Sequence, residues 1–260
     1  MQKIEFYNNR SQKLAGHLYS RRSAKLIIAV HGLASDKTAG GRTPLIAEAL
    51  GNAGYDVLAF DFSGCGESDD DKVSVARQVE DLKAAIAYGQ SLGYRQIGLL
   101  GHSLGSLVSL KAYSDDIEAM VLYGALTHPL DYSWADYFSK EQQQQMETYG
   151  YAIVPKEAGP RAEVLIDRCL GEELTGIDPE EVLRPVQCPV LIIHGNHEQD
   201  ALELAFLAGS KKALAYLPEG SRVEVIEGAN HHFKEHVDQL TSLIINWFNE
   251  RMKEQADDSL

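Results

Sequence analysis

The sequence predicts an α/β protein: a mostly parallel sheet of eight strands flanked by helices, with a helical insertion past its middle. Three observations predict it. Six short runs, LIIAV (26–30), YDVLAF (55–60), QIGLL (96–100), AMVLY (119–123), PVLII (189–193) and VEVIE (223–227), are mainly apolar and rich in β-branched residues. Such runs are the habit of strands buried on both faces of a parallel sheet. Longer segments of helical period separate them, and one stretch, 127–184, breaks the alternation.

Taken in order, two more polar runs near the amino terminus, KIEFY (3–7) and LAGHLYS (14–20), read as an antiparallel pair at one edge of the sheet. Helices are expected over 43–52, 73–92, 103–113, 201–217 and 233–253. In the last, Phe233, Val237, Leu240, Ile244, Trp247 and Phe248 share one face, so this helix closes the domain. The polar tail 254–260 is expected to fray. Residues 127–184 hold no buried-strand run and mix aromatics (Trp134, Tyr137, Phe138, Tyr149, Tyr151) with a glutamine run at 142–145. More than fifty residues between two sheet strands exceed an ordinary connection. The segment is therefore expected to be a helical cap or lid, set on a core formed by 1–126 and 185–260.

The composition bounds the function. Of 260 residues, 44% are hydrophobic and 24% charged, which suits a folded globular protein and excludes collagen-like, coiled-coil and disordered classes. A net charge of −14 repels phosphate backbones and anionic lipid, so neither nucleic acid nor a membrane is an expected partner. The first residues, MQKIEFYNNRSQK, lack the apolar stretch of a secretory signal, and no run approaches the roughly 18 apolar residues of a spanning helix. Cys65, Cys169 and Cys188 are odd in number and form no C-x-x-C pair. A reduced, cytoplasmic protein without metal or cofactor is the expectation; oligomeric state is left open.

The chemistry begins at Gly101-His102-Ser103-Leu104-Gly105, between the QIGLL strand and a helical run. In a G-x-S-x-G turn the serine is held in a strained conformation at the carboxyl edge of the sheet, and the flanking glycines let the chain double back. The helix amino terminus behind Ser103 favours developing negative charge. A serine at its free pKa is a poor nucleophile, so a base and an acid to orient it are required. Gly228-Ala229-Asn230-His231-His232-Phe233 follows the VEVIE strand and brings a histidine to the same sheet edge. Because Phe233 opens the apolar face of the last helix, His231 is expected in the loop, as the base, and His232 on the helix.

Beyond PVLIIHG, the stretch Asn196-His197-Glu198-Gln199-Asp200 offers two acids. Asp200 stands three residues before Glu203 at the start of a helical run, the pattern of an N-cap with a reciprocal glutamate. With Asp200 occupied in this way, Glu198 is the expected triad acid and Asp200 the alternative, with an acid from another strand left open. The oxyanion hole needs two backbone N–H groups: Leu104 follows the nucleophile, and Leu33 lies in the loop after LIIAV. His31 reads as a hydrogen-bonded scaffold residue, Lys37 and Arg42 as solvated. The loop 61–68 (DFSGCGES) lacks the third glycine of a dinucleotide fingerprint and reads as a brace for the site, with Cys65 a bystander.

HGLAS (31–35), DFSGCGES (61–68), GHSLG (101–105), CPVLIIHG (188–195) and GANHHF (228–233), in that order, resemble the α/β-hydrolase superfamily, in particular its esterase, acylglycerol-lipase and serine-aminopeptidase-like branch. The resemblance implies that fold, Ser103 as nucleophile, His231 as base, and Leu33 and Leu104 as the oxyanion hole. It covers 26–123 and 188–248; residues 127–184 correspond to its variable cap. Members usually carry aspartate where Glu198 stands. The implied function is a serine hydrolase acting on small to medium acyl esters through an acyl-enzyme. Thioester or aminoacyl-amide substrates, or a ligand-binding protein that keeps the fold without turnover, are the alternatives.

Overall fold

A computed structural model describes residues 1–131 and 133–253; the tail 254–260, expected to fray, lies outside them. The chain opens with β1 (Gln2–Tyr7) and β2 (Lys13–Tyr19), then β3 (Lys25–Val30), α1 (Arg42–Asn52) and β4 (Asp56–Phe60). A short β5 (Lys72–Val73) leads into α2 (Val75–Ser91), β6 (Gln96–His102), α3 (Leu104–Lys111) and β7 (Ile117–Tyr123). Next come α4 (Trp134–Tyr137), α5 (Lys140–Tyr149), β8 (Tyr151–Pro155), β9 (Glu163–Asp167), α6 (Cys169–Thr175) and α7 (Pro179–Leu183). β10 (Val190–Gly195), α8 (Ala201–Ala213), β11 (Arg222–Ile226) and α9 (Val237–Arg251) complete the chain.

Among the described residues, eight strands form the central sheet in the order β1-β2-β4-β3-β6-β7-β10-β11. β1 and β2 pair antiparallel from Gln2 opposite Leu18 to Tyr7 opposite Lys13, and β2 is antiparallel to β4; every other pair is parallel. Alternate residues serve opposite faces, as the period of two in a strand requires. In β3, Leu26, Ile28 and Val30 join a core with α2, α3 and α8, while Ile27 and Ala29 meet α1 and α9 on the other side. Both sets are buried, which is why these strands read as continuous apolar runs. In α9, Leu240, Ile244, Trp247 and Phe248 are fully buried. This helix starts at Val237, after Phe233 adopts a left-handed φ of 53° and a single 3-10 turn intervenes.

The segment between β7 and β10 departs from a purely helical insertion. Besides α4 to α7 it holds an antiparallel hairpin, β8 with β9, and β9 adds in parallel to β5, Lys72 opposite Leu165 and Val73 opposite Ile166. YAIVP and EVLID are short and bury only alternate residues, Ala152 in one and Val164 and Ile166 in the other. YAIVP and the VLI of EVLID are apolar in sequence, but runs this short are not told from segments of buried helix by apolarity alone. Met146, Val164, Ile166, Leu170 and Leu174 belong to the same apolar cluster as the α2 side of the sheet. Three polar ties reinforce the docking: Arg161 donates to the carbonyl of Ser68, Lys156 Nζ to the carbonyl of Ala34 at 2.6 Å, and Glu173 accepts from Val75 N at 2.7 Å at the start of α2.

Candidate active site

The parallel strands end at one edge, and the loops leaving them converge there. β6 runs straight into α3 through Ser103, whose backbone is held at φ 53°, ψ −123°. Such a conformation in a non-glycine residue costs on the order of 1–3 kcal/mol, and the surrounding close approaches maintain it. A Cβ on Gly105 would lie 2.4 Å from the carbonyl oxygen of Val30, and one on Gly101 would lie 2.8 Å from that of Gly105. Only glycines allow helix and strand to approach so closely, and the serine is projected from the turn they permit.

Ser103 Oγ lies 2.9 Å from His231 Nε2, placed for its hydroxyl to donate to the imidazole. On the other side of the ring, Nδ1–H donates to a carboxylate at 2.6 Å, and that carboxylate is Glu203, not Glu198. Glu198 lies exposed in the turn between β10 and α8, and the carboxylate on the imidazole is supplied five residues further on, from the first turn of α8. Asp200 does cap that helix, its Oδ1 accepting from Glu203 N at 3.0 Å. Its Oδ2 accepts the backbone N–H of His231 at 2.8 Å, so Asp200 braces the main chain of His231. Glu203 does not reach back to complete a capping box. It is fully buried and shares the inward face of α8 with Phe206, Leu207, Ser210 and Ala213. That spacing was the signal in the sequence: a glutamate on the apolar stripe of an amphipathic helix needs a polar partner inside the protein.

Burial by itself raises a carboxyl pKa, but hydrogen bonds from His194 and His231 outweigh it and bring Glu203 down to about 2. The group is ionised at neutral pH and suited to face an imidazolium. The Oε1 atom of Glu203 accepts from His194 Nδ1 at 2.8 Å and from Gly195 N at 3.0 Å. Gly124, just past β7, approaches His231 so closely that a Cβ there would lie 2.9 Å from its Nδ1.

The loop after β3 presses on Ser103 from the other side, a Cβ on Gly32 falling 3.2 Å from that of Ser103. Leu33 and Leu104 both border the cavity that opens over Ser103. His31 is buried, its Nδ1–H donating to the Gly32 carbonyl at 2.8 Å and its Nε2 accepting from Phe62 N at 3.2 Å. Lys37 and Arg42, expected to be solvated, are buried instead. Lys37 Nζ meets Asp61 Oδ2 and Glu67 Oε2, each at 2.6 Å. Burial disfavours the Lys37 charge, and these carboxylates more than compensate, raising its pKa. Asp61 also accepts from the backbone of Lys37 and Glu67, which ties the loop 61–68 to the loop after β3. Cys65 is buried within that brace, and burial pushes its thiol up to about 12, leaving no thiolate at neutral pH. Among the described residues, no group of three or more His, Cys, Asp or Glu side chains is placed to hold a metal ion.

The cavity measures about 300 Å³, at the small end of ligand pockets. Ser103, Leu104, Leu126 and Phe206 line it from the core, and Leu130, Tyr137, Phe138, Gln142, Val154, Ile166 and Leu174 from the segment between β7 and β10. Of the lining residues, Leu33, Tyr137 and Leu202 are exposed, whereas Leu104, Leu126, Ile166, Leu174 and Phe206 are buried. Among the described residues, no charged side chain lines it, and the Gln142 amide on its wall already donates to the carbonyl of Ile153 at 2.8 Å. Among the described residues, no helix is long and apolar enough to cross a membrane.

A family model described as the alpha/beta hydrolase family matches residues 27–240. Among solved structures, the chain is similar to the alpha/beta hydrolase GrgF from Penicillium sp. sh18, at 16% identity and a TM-score of 0.77, covering 97% of this chain and 99% of that one. It is similar also to an esterase from Pyrococcus furiosus (21% identity, TM-score 0.73, 96% and 91% covered). A third is Est1E from Butyrivibrio proteoclasticus, solved with ferulic acid bound (20% identity, TM-score 0.73, 96% and 100% covered). At these identities the likeness is one of fold. Comparison of the sequence with curated proteins finds no match.

Proposed function

The chain belongs to the alpha/beta hydrolase family, and on that premise we propose that it is a serine esterase cleaving carboxylic esters with uncharged, apolar acyl groups. The observation that carries the reading is the continuous contact Ser103 Oγ to His231 Nε2 at 2.9 Å and His231 Nδ1 to Glu203 Oε2 at 2.6 Å, under an apolar cavity.

Ser103 Oγ attacks the ester carbonyl carbon while its proton passes to His231 Nε2. The carbonyl oxygen takes up the negative charge and is met by the backbone N–H groups of Leu33 and Leu104, and Glu203 stabilises the imidazolium. When the tetrahedral intermediate collapses, the carbon–oxygen bond to the alcohol breaks and His231 returns its proton to the departing alkoxide. Water then repeats the sequence on the acyl-enzyme, giving the acid and free Ser103. Residues 127–184 act as a cap that shapes the acyl pocket, because seven of the fourteen described residues that line it come from this segment.

The uncharged lining favours esters over the alternatives. Among the described residues that line the cavity, an aminoacyl amide would find no carboxylate to receive its ammonium group, and a phosphate-bearing thioester no cation. The test is a hydrolysis panel of p-nitrophenyl esters of increasing acyl length, aryl esters, thioesters and aminoacyl amides, paired with labelling by a fluorophosphonate. Apolar esters turned over with Ser103 labelled is the expected result. Labelling without turnover of any ester, or preference for aminoacyl amides, would overturn the substrate class.

A further inference from the structure

The carboxylate that faces His231 is held from behind by a second histidine. His194, near the carboxyl end of β10, is fully buried, and both of its ring nitrogens are engaged. Nδ1 is 2.8 Å from Glu203 Oε1, and Nε2 is 2.9 Å from Ser210 Oγ. Ser210 Oγ in turn lies 3.0 Å from Thr127 Oγ1, and both hydroxyl residues are buried. An unbroken line of hydrogen bonds thus runs from Thr127 through Ser210, His194, Glu203 and His231 to Ser103, drawing on the loop after β7, α8, β10 and the loop after β11.

An ionised carboxylate only accepts, so the contact with Glu203 requires a proton on His194 Nδ1. That leaves Nε2 to face a hydroxyl, which can donate or accept. A terminal carboxylate torsion is soft. With Oε1 held by the His194 ring and by Gly195 N, however, the plane of the group is set and Oε2 is turned towards His231. His194 does not line the cavity, so it has no access to substrate. A residue wanted at this buried place only for its volume would leave Oε1 a donor short, a costly loss for a charge in the interior.

Resting on the triad reading above, we propose that His194 is a positioning residue of the reaction, orienting the Glu203 carboxylate towards the base, with Ser210 and Thr127 fixing the plane of the His194 ring.

Two variants and one spectroscopic measurement test this. His194→Leu removes the donor, whereas His194→Asn can return an N–H near the place of Nδ1. Active sites are counted with a fluorophosphonate, so that misfolded protein does not enter the rate. Expected for His194→Leu is a loss of about tenfold or more in kcat per titrated site, with KM within about twofold, and disappearance of the far-downfield proton resonance of His231 Nδ1–H. His194→Asn should recover most of both. A leucine variant with native kcat and an unchanged resonance would reduce His194 to packing and overturn the proposal. Should that variant not fold, nitrogen-15 NMR of the native protein decides: a protonated His194 Nδ1 at neutral pH supports the proposal, a bare one refutes it. Native protein that neither hydrolyses esters nor takes the fluorophosphonate would defeat the esterase reading instead, and the two nitrogen-bound protons would still show whether His194 holds the carboxylate.

Discussion

The Nε2–H of His102 donates to the main-chain carbonyl of His231 across 3.1 Å, so the residue before Ser103 holds the backbone of His231. Arg42 donates to His102 Nδ1 at 3.2 Å and also reaches the carbonyl of His232. Burial, with Arg42 close by, keeps the His102 pKa well below its ordinary value, and the neutral ring stacks on Tyr123 at 4.6 Å between centroids. His102→Phe keeps the stacking and loses the donor. About tenfold in kcat is the expected cost, the equivalent of one hydrogen bond of roughly 1.4 kcal/mol, and stopped assays on titrated enzyme would measure it.

Ser103→Ala should abolish ester hydrolysis, losses for a triad nucleophile running to about a millionfold, while circular dichroism and melting stay native-like. Ser103→Gly is the sharper companion. It should be equally inactive yet more stable, by about 1 kcal/mol, because glycine accepts φ 53° without strain. A glycine variant less stable than the alanine one would show that the turn is not strained.

Glu203→Gln should lower turnover by about ten-thousandfold, since an amide cannot stabilise the imidazolium. Glu198→Gln should leave it unchanged. Asp200→Ala should cost about 1 kcal/mol of stability as a lost N-cap and, through the released His231 backbone, a measurable part of kcat. Kinetics and urea unfolding on the three variants separate these roles; activity lost in Glu198→Gln and kept in Glu203→Gln would return the acid to the loop.

Stability should carry the signature of Glu203 in acid. Its pKa falls from 4.5 to about 2 on folding. The stabilisation is therefore present in full above the unfolded value near 4.5, and is lost as pH drops towards 2. A shift of that size amounts to on the order of 3 kcal/mol. The stability difference between native protein and Glu203→Gln should shrink by up to this amount between about pH 5 and pH 2, which urea titrations at stepped pH would record.

Ile166→Phe should shorten the acyl chain that is turned over best, because Ile166 is buried and lines the cavity, so a larger side chain there takes up its volume. Reactivity of Ser103 towards a small fluorophosphonate should be nearly unchanged. An overpacking cost of about 1–3 kcal/mol is expected. Point substitution is preferable to removing 127–184, since β9 pairs with β5 and its loss would expose that strand.

Much of this protein was legible in one dimension because the physics involved is local. A strand buried on both faces must be apolar throughout, so LIIAV, QIGLL and PVLII announced a parallel sheet. A serine between two glycines, after a strand and before a helix, announced its turn. The apolar stripe of the last helix predicts His231 in the loop and His232 on the helix, but the helix starts only at Val237 and both histidines lie before it; contact with Ser103 and Glu203 is what singles out His231. The choice of acid was not local. Glu198 and Glu203 are five residues apart on one connection, and only the direction in which α8 turns its buried face puts Glu203, and not Glu198, at 2.6 Å from the imidazole. Likewise, Lys37 and Arg42 look like surface cations until Asp61 and His102, distant in sequence, take them up. The half-buried hairpin of 151–167 and the cavity it helps to wall depend on pairing with β5, some ninety residues earlier. Composition and periodicity report which faces are buried; which polar group meets which inside the protein is settled only when distant segments are packed together.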